Sequence, residues 1–478
     1  MENLKKESQN PKTVYLLGIC GTGMAALAGL LKEKGYQVTG SDAGCYPPMD
    51  QVLSNLNIPV LKGYDPENIK QVDPDLVIIG NVIRRDNPEA RFAMEKGIDY
   101  MSFPEAMGEF FLSEKRPLVV TGTHGKTTTS TMLLSALEGC GEEPGFMIGG
   151  VPMAKNQGFG IGKSEWFVIE GDEYDSSFFQ KVSKFLFYRP FGAIITSIEF
   201  DHADIFDSLE QIEESFSKFA ALIPKDGVLV ACRDWDTVKR VSQRAKCPVV
   251  TYGTTPGEGW RLEGLNILED SMEFSAISPQ GQTYHVNMGL PGLHNAMNAL
   301  SVMALCHHLG LDMEGVIKGL SSCKGVKRRQ EVRGSVDDIL VIDDFAHHPR
   351  AVGETLKALK QRFPTRRLIA IFEPRTNTSR RSVFQKDYAA AFDSADKILV
   401  RQVPDPEKAP EGDRFSSEKL VEDLKARGKD AHFFENADAI VRYVAKNHSN
   451  GDVYVVLSNG PFEGIHEKLL DALRAARK

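Results

Sequence analysis

The chain lacks any run of about 18 apolar residues, the length a helix needs to cross a bilayer, so no membrane-spanning helix is expected. Its start, MENLKKESQNPK, has no apolar core to serve as a signal peptide, and a cytoplasmic protein is expected. It also lacks an excess of basic charge. Lys plus Arg number 57 against 65 Asp plus Glu, a formal net charge of −8, which disfavours a broad nucleic-acid surface while leaving room for a local basic pocket. Neither a nucleic acid nor a membrane is expected as a partner. The seven cysteines, Cys20, Cys45, Cys140, Cys232, Cys247, Cys306 and Cys323, contain no CxxC pair. They are expected to be free thiols in a reducing compartment, neither a zinc site nor a disulfide frame.

What is present is ordinary soluble-protein composition, 42% hydrophobic and 26% charged. A chain of 478 residues exceeds the roughly 250 to 300 that one core serves, so three domains are expected. From Val14 to about Phe111, short apolar strands alternate with helix-length segments, the pattern of a doubly wound parallel sheet. The polar break Ser113 to Pro117 precedes a second α/β series, with strands near LVVTG, EWFVIE, GAIITSI and GVLVA. Between Trp260 and Gly292 the rhythm changes to short alternating strands with Glu-Asp and Pro-Gln-Gly turns, which predicts an antiparallel meander. A helix, HNAMNALSVMALCHHLG, follows it. After the basic turn Lys324 to Gly334, a third series begins, with strands ILVID, RLIAIF, KILVR and VYVVLSNG.

The strongest chemical signal is LVVTGTHGKTTTSTML, Leu118 to Leu133. A β-branched strand runs into Gly122, Thr123, His124, Gly125, Lys126, Thr127 and Thr128, and a helical pattern starts there. Phosphate binding needs this arrangement: glycines let backbone N–H groups converge, the helix N-terminus adds partial positive charge, and Lys126 adds a full one. Thr127 is then placed to ligate Mg²⁺. Val120 stands where GxxxxGK[ST] has its first glycine, so the loop is of a shorter type.

Downstream, FVIEGDEYDSSFF puts Glu170, Asp172, Glu173 and Asp175 at the C-terminal end of an apolar strand, the edge where ligands bind in such sheets. Glu170 or Asp172 is a candidate Mg²⁺ ligand, and Glu173 or Asp175 a candidate substrate contact; the alternative is a solvated acidic turn. His202, among Glu199, Asp201 and Asp204, suits a second metal or a metal-bound water, with a structural imidazole as the alternative. Asn295 and Asn298 lie three apart on one helical face, fit to pair with an adenine edge or to cap the helix. Of Arg328 and Arg329 at the domain junction, one guanidinium could reach a γ-phosphate. Asp343, Asp344, His347 and His348 follow the next strand; adjacent histidines in a loop seldom share a zinc ion without a third ligand, so zinc is not expected there.

The segment VYLLGICGTGMAALAGLLKEKGYQVTGSD has the outline of a dinucleotide-binding unit, with Asp42 lying 24 residues after Gly18. Its glycines, Gly18, Gly21 and Gly23, are spaced GxxGxG where the NAD fingerprint is GxGxxG, so its turn is not that of NAD enzymes.

Taken in order, GICGTGM, TGTHGKTTT, EGDEYDSSF, EFDHADIF, GLHNAMNAL, KRRQEVRG and DDFAHHP resemble the Mur ligases of bacterial cell-wall synthesis over nearly the whole chain. The resemblance implies three domains: a Rossmann-like UDP-sugar-binding domain at 1–114, a P-loop-type ATPase domain with an added antiparallel sheet at 115–325, and a Rossmann-like peptide-binding domain at 326–478. It also implies an ATP- and Mg²⁺-dependent ligase that makes an amide bond through an acyl phosphate. GSDAGCYPPM, GDEYD, FEPRTNTSR and LSNGPFEGIHEKLL resemble the branch that recycles cell-wall peptide by adding L-Ala-γ-D-Glu-meso-diaminopimelate to UDP-N-acetylmuramate; the alternative is the branch that adds L-alanine alone. By motif position, Lys126, Glu170, His202 and Arg329 match catalytic positions, with Thr127, Glu170 and His202 on metal. Gly122 to Thr128, Asn295, Asn298 and Asp344 match the ATP side. Gly18, Gly21, Thr22, Gly23, Met24, Ser41 and Asp42 match the UDP-sugar side, and Arg375, Asn377, His347, Ser458 and Asn459 the peptide side. Several sister ligases carry a carbamylated lysine; Lys218 is only near that place, and no modification is assigned to it.

Overall fold

The computed structural model describes residues 12–45, 49–173, 175–176, 180–200, 206, 208–375, 379–380, 382–408 and 411–476. Its strands form three large sheets in chain order and one small hairpin. In the first, Val60–Lys62, Gln37–Asp42, Thr13–Leu17, Leu76–Ile79 and Asp99–Ser102 lie side by side in that order, all parallel. The period of two in a strand sends Val14 and Leu16 to one face, against Leu27, Leu30 and Leu31 of the helix Thr22–Glu33. Tyr15 and Leu17 go to the other, with Val77 and Ile79. Both faces are therefore covered, as a parallel sheet requires. Strand order reverses between Thr13–Leu17 and Leu76–Ile79, which opens a crevice beyond the strands' C-terminal ends.

The second sheet has ten strands, with Arg116–Thr121 between Gly192–Ile195 and Trp166–Gly171. The expected meander is present as Trp260–Ile267, Met272–Ile277 and Thr283–Met288, antiparallel to one another. It is not a separate layer: Tyr252 pairs with Trp260 in parallel register, so the three strands extend the same sheet. Met272, Phe274 and Ala276 point inward to the cluster that also holds Ala299 and Val302 of the helix Leu293–His308.

The third sheet runs Glu331–Val336, Ile339–Asp344, Val453–Leu457, Leu368–Phe372, Lys397–Arg401 and Asp430–Phe434. The first pair is antiparallel and the rest parallel. The four apolar strands are those expected. Glu331–Val336 and Asp430–Phe434 were illegible because they are edges, carrying polar and half-exposed side chains. Among the described residues no helix is long and apolar enough to cross a membrane.

The expectation that all seven cysteines are free does not hold. Cys20 and Cys45 are joined in a disulfide, Cα to Cα 5.3 Å. Thr13–Leu17 and Gln37–Asp42 are parallel neighbours, and each cysteine lies three residues beyond the end of its strand, so the two loops leave one sheet edge abreast. A separation of 25 residues hides that proximity until the register is known.

Candidate functional site

The candidate phosphate loop has the strand, glycine turn and helix that its sequence predicts. The strand Arg116–Thr121 ends in Gly122 at φ +132° and Gly125 at φ +79°, and the helix Lys126–Gly139 starts directly after. A Cβ on Gly122 would stand 2.3 Å from Thr196 Oγ1 and 2.8 Å from the Ser197 carbonyl oxygen, so only glycine fits. The N–H groups of Thr123 and His124 are taken up by Ser197, through its carbonyl at 2.9 Å and its Oγ at 3.1 Å. No side chain caps the helix at Gly125, which leaves its first-turn amides facing outward with the positive end of the dipole.

Lys126 is 13% exposed; its Nζ donates to the Gly122 carbonyl at 2.7 Å and pairs with Glu173 at 3.1 Å. Burial by itself would lower its pKa, but Glu173 and Asp172 outweigh burial and raise it, so the ammonium stays charged. Thr127 Oγ1 donates to Glu170 Oε2 at 3.1 Å, and Glu170 Oε1 accepts from the Gly149 N–H at 2.7 Å. Burial, with the charge of Asp172 beside it, pushes the Glu170 carboxyl up to about 7. A hydroxyl and a carboxylate at this spacing are hard oxygen donors of the kind Mg²⁺ takes. Of the four acids, Glu170 thus joins Thr127, Glu173 joins Lys126 and Asp172 lies 3.7 Å from Lys184, while the side chain of Asp175 lies outside what the structure describes. His202, Asp201 and Asp204 lie outside the described residues, as does Asn377.

Asn298 packs on the loop, its Oδ1 3.0 Å from where a Cβ of Gly125 would be. Asn295 donates through Nδ2 to the Pro291 carbonyl at 3.4 Å. Both are nearly buried, on the helix side of the loop. Lys218 is an exposed helical residue paired with Glu214.

Sequence reasoning missed a polar bridge from the third domain. Thr123 Oγ1 accepts from the Glu199 N–H at 2.9 Å, and His124 Nε2 lies 3.5 Å from the Glu199 carboxylate. Arg350, in the first turn of the helix Pro349–Arg362, pairs with that same carboxylate and lies over the Trp235 ring. Burial would raise the Glu199 carboxyl, but His124 and Arg350 hold it below the usual range. Nothing in HHPRA singles out Arg350; only the packing of two domains does.

The two junction arginines both lie near the Phe345 ring but differ in their other contacts. Arg328 is a strut: it pairs with Asp343 and donates to the carbonyls of Ser458 and Gly460 at 2.6 and 2.9 Å. Arg329 lies over the Phe345 ring, 5.2 Å from its centre. Asp344 is buried, accepting from the N–H groups of Gln330 and Ala346, each at 2.8 Å; burial raises its pKa. It thereby ties the turn at Gln330 to its own domain. Ser458 is also internal, donating to the buried Glu373 at 2.6 Å. Arg375 lies against Gly460, and Asn459 Oδ1 is buried with no hydrogen-bond partner among the described residues. His347 accepts from Tyr388 through its carbonyl oxygen. Arg375, Asn459 and His347 each follow the end of a strand, while Ser458 Oγ also accepts from the Gly460 N–H at 2.9 Å.

At the first domain, Gly18 at φ +76° and Ile19 both donate to the Ser41 carbonyl, tying the glycine turn to the neighbouring strand. Asp42 accepts from the Cys20 N–H at 2.9 Å and the Gly44 N–H at 3.1 Å. No side chain caps the helix at Gly21, next to the exposed Thr22. Met24 is buried, and Gly23 faces Phe103 and, from the second domain, Met147. Beneath, the fully buried Glu89 accepts from Tyr15 at 3.1 Å, from Asn68 at 2.8 Å and from Ser41, a network no motif announced.

Family comparisons agree with this geometry. Residues 13–115 match the Mur ligase family catalytic domain, 120–306 the Mur ligase middle domain and 328–460 the Mur ligase glutamate ligase domain. The UDP-N-acetylmuramate–L-alanyl-γ-D-glutamyl-meso-2,6-diaminoheptandioate ligase of Escherichia coli is 38% identical over 462 residues, 96% of this chain and 98% of that one. A murein peptide ligase from Psychrobacter arcticus, solved by crystallography, is 33% identical with a TM-score of 0.72, covering 97% and 98% of the two chains. The UDP-N-acetylmuramate-alanine ligase of Thermotoga maritima is 26% identical with a TM-score of 0.81, covering 98% and 100%. With an uncapped helix after the glycine turn, an acidic strand end and three matched domains in order, the chain belongs to the Mur ligase family.

Proposed function

We infer that this chain is a cytoplasmic, ATP-dependent ligase that joins L-Ala-γ-D-Glu-meso-diaminopimelate to UDP-N-acetylmuramate, recycling cell-wall peptide. The observation that carries the reading is the meeting of Lys126, Thr127 and Glu170 at one uncapped helix start, in a chain 38% identical over 462 residues to a tripeptide ligase. We assign the UDP-sugar to residues 1–114, ATP to 115–325 and the peptide to 326–478.

A carboxylate does not react with an amine at neutral pH, because its leaving group would be oxide. In the proposed reaction a muramate carboxylate oxygen attacks the γ-phosphorus and ADP leaves. The peptide's alanine amine then attacks the acyl carbon, and the tetrahedral intermediate expels phosphate. Lys126 and the first-turn amides of its helix hold the phosphates and screen the negative charge that would repel the attacking carboxylate. Thr127 and Glu170 would hold Mg²⁺, which when bound lowers the charge on the transferring phosphoryl group, and His202 is assigned to a second ion. Asn295 and Asn298 stand on the adenine side. Arg329 approaches the γ-phosphate from the third domain, and Asp344 reaches the ribose only if its hydrogen bonds to Gln330 and Ala346 open. The turn from Gly18 to Met24, with Ser41 and Asp42, receives the UDP diphosphate. Arg375, Asn377, His347 and Asn459 meet the peptide, with Ser458 holding the strand end behind them.

The test is phosphate release with ATP, UDP-N-acetylmuramate and either tripeptide or L-alanine, with product mass measured. Higher kcat/KM for the tripeptide is expected. The L-alanine reading is second, favoured by the TM-score of 0.81 to the Thermotoga maritima enzyme, and faster turnover with free alanine would establish it instead.

A further inference from the structure

The bridge between Cys20 and Cys45 lies at the mouth assigned above to the UDP-sugar. Cys20 belongs to the glycine turn itself, directly before Gly21, the residue that opens the helix Thr22–Glu33. Cys45 belongs to the loop that follows Asp42. Both are partly exposed. Their approach does not depend on the sulfur bond alone, because Asp42 ties down both backbones: one carboxylate oxygen accepts from the Cys20 N–H and the other from the Gly44 N–H. The two thiols of the reduced protein are therefore held close by a neighbouring side chain, the arrangement in which a disulfide forms and opens without refolding.

The other cysteines contrast with this pair. Cys232, Cys247, Cys306 and Cys323 are buried in apolar clusters, and burial pushes all four thiols up, Cys232 to about 11. Cys140 is partly buried, its Sγ 3.4 Å from the Asp312 carbonyl, and its pKa is raised too. Thiols kept protonated react slowly with oxidants. In a reducing compartment, disulfides that do form are mostly transient or sensing.

We propose that Cys20 and Cys45 are a reversible thiol–disulfide switch that controls entry of the nucleotide-sugar into the first domain. This rests on the assignment of the Gly18–Met24 turn to that substrate. The oxidant is a hydroperoxide. One thiolate attacks the peroxide oxygen, the O–O bond breaks, and an alcohol or water leaves with one proton; the resulting sulfenic acid is displaced by the second thiol, releasing water as the S–S bond forms. Two thiols lose two electrons, and one hydroperoxide becomes an alcohol and water. A dithiol reverses the step by exchange. The two hydrogen bonds to Asp42 can exchange as a ligand enters, whereas the S–S bond cannot, so the cross-linked turn loses the adjustment that seating a diphosphate and its sugar requires.

The full-length protein is reduced with dithiothreitol, freed of it, and treated with stoichiometric hydrogen peroxide. Differential alkylation and peptide mass spectrometry then report the state of each cysteine. Linked Cys20 and Cys45 peptides are expected after peroxide, with the KM for UDP-N-acetylmuramate raised about tenfold, the KM for ATP unchanged, and both effects reversed by dithiothreitol. The Cys45→Ser variant should lose the response to peroxide. Two results overturn the switch: both cysteines still alkylated after peroxide, or a linked pair with an unchanged or lower KM. Failure of the reduced enzyme to turn over UDP-N-acetylmuramate at all would instead remove the functional assignment beneath it, whatever the alkylation shows.

Discussion

Arg350 of the third domain pairs with Glu199 of the second while its guanidinium lies 4.2 Å from the centre of the Trp235 ring. The same Glu199 lies 3.5 Å from His124 in the phosphate loop and donates its N–H to Thr123 Oγ1. One carboxylate therefore touches both the loop and the third domain. The pair is partly exposed, so its removal should shift stability by less than about 1 kcal/mol. Its effect on positioning should be larger. Arg350→Gln is expected to lower kcat/KM for the peptide about tenfold, roughly 1.4 kcal/mol, at nearly unchanged Tm. Arg350→Lys, which keeps the charge but loses the planar stack, should fall between. Wild-type kcat/KM in Arg350→Gln would show that the bridge plays no part in turnover.

Lys126 and Glu173 allow the structural and chemical roles of the loop to be separated. Replacing Lys126 by Met takes the ammonium away from a carboxylate that is 3% exposed, which should cost about 3 kcal/mol. Turnover should fall at least about 10³-fold, the scale of losing a charged transition-state donor. Adding Glu173→Gln to Lys126→Met should recover most of the melting temperature and none of the turnover. Recovery of both by the double variant would mean that Lys126 acts only as a core ion-pair partner.

Much of this candidate site is legible in the sequence because a strand–glycine turn–helix pattern is local. The strand, glycines, lysine and helix of Leu118 to Leu133 are consecutive, so one stretch of sequence dictates one geometry. The acidic strand end was visible for the same reason, though only packing decided that Glu170 serves Thr127 and Glu173 serves Lys126. Arg350 and the Cys20–Cys45 bridge were not legible. Each depends on elements brought together by strand register or domain packing, and neither has a spacing that sequence alone makes meaningful. Asp344 and Ser458 show the converse: their motifs suit ligand contact, while their side chains are buried in hydrogen bonds to their own domain.

His294 sets a pH limit on folding. Burial pushes its pKa from the usual 6.5 down to about 4, so the folded protein keeps it neutral where the unfolded chain protonates it. Between pH 6.5 and 4 the unfolded state binds the extra proton, and stability falls as pH falls; above 6.5 the contribution is fully present. The loss accumulates to at most about 3 kcal/mol by pH 4. Urea denaturation of His294→Gln against the wild type, at steps from pH 7.5 to 4.5, should show the gap between them narrowing with acid. A constant gap would mean that His294 titrates alike in both states.

Two glycines at positive φ test how much of the phosphate loop's requirement is steric. Gly310, at φ +74°, has nothing within 4 Å of where a Cβ would project, so Gly310→Ala meets only backbone strain of about 1 to 2 kcal/mol. Gly122, at φ +132°, combines that strain with contacts of 2.3 Å to Thr196 Oγ1, 2.8 Å to the Ser197 carbonyl and 2.9 Å to the Ser197 nitrogen. Two of those atoms are backbone on the strand end that also fixes Thr123 and His124, so they cannot yield without moving the loop. Gly122→Ala should therefore weaken ATP binding at least tenfold, about 1.4 kcal/mol, while Gly310→Ala leaves the nucleotide dissociation constant unchanged. Calorimetric titration of each folded variant with a non-hydrolysable ATP analogue reads the difference. Equal affinities in the two variants would show that the loop absorbs a methyl group, and that its glycine answers to backbone conformation alone.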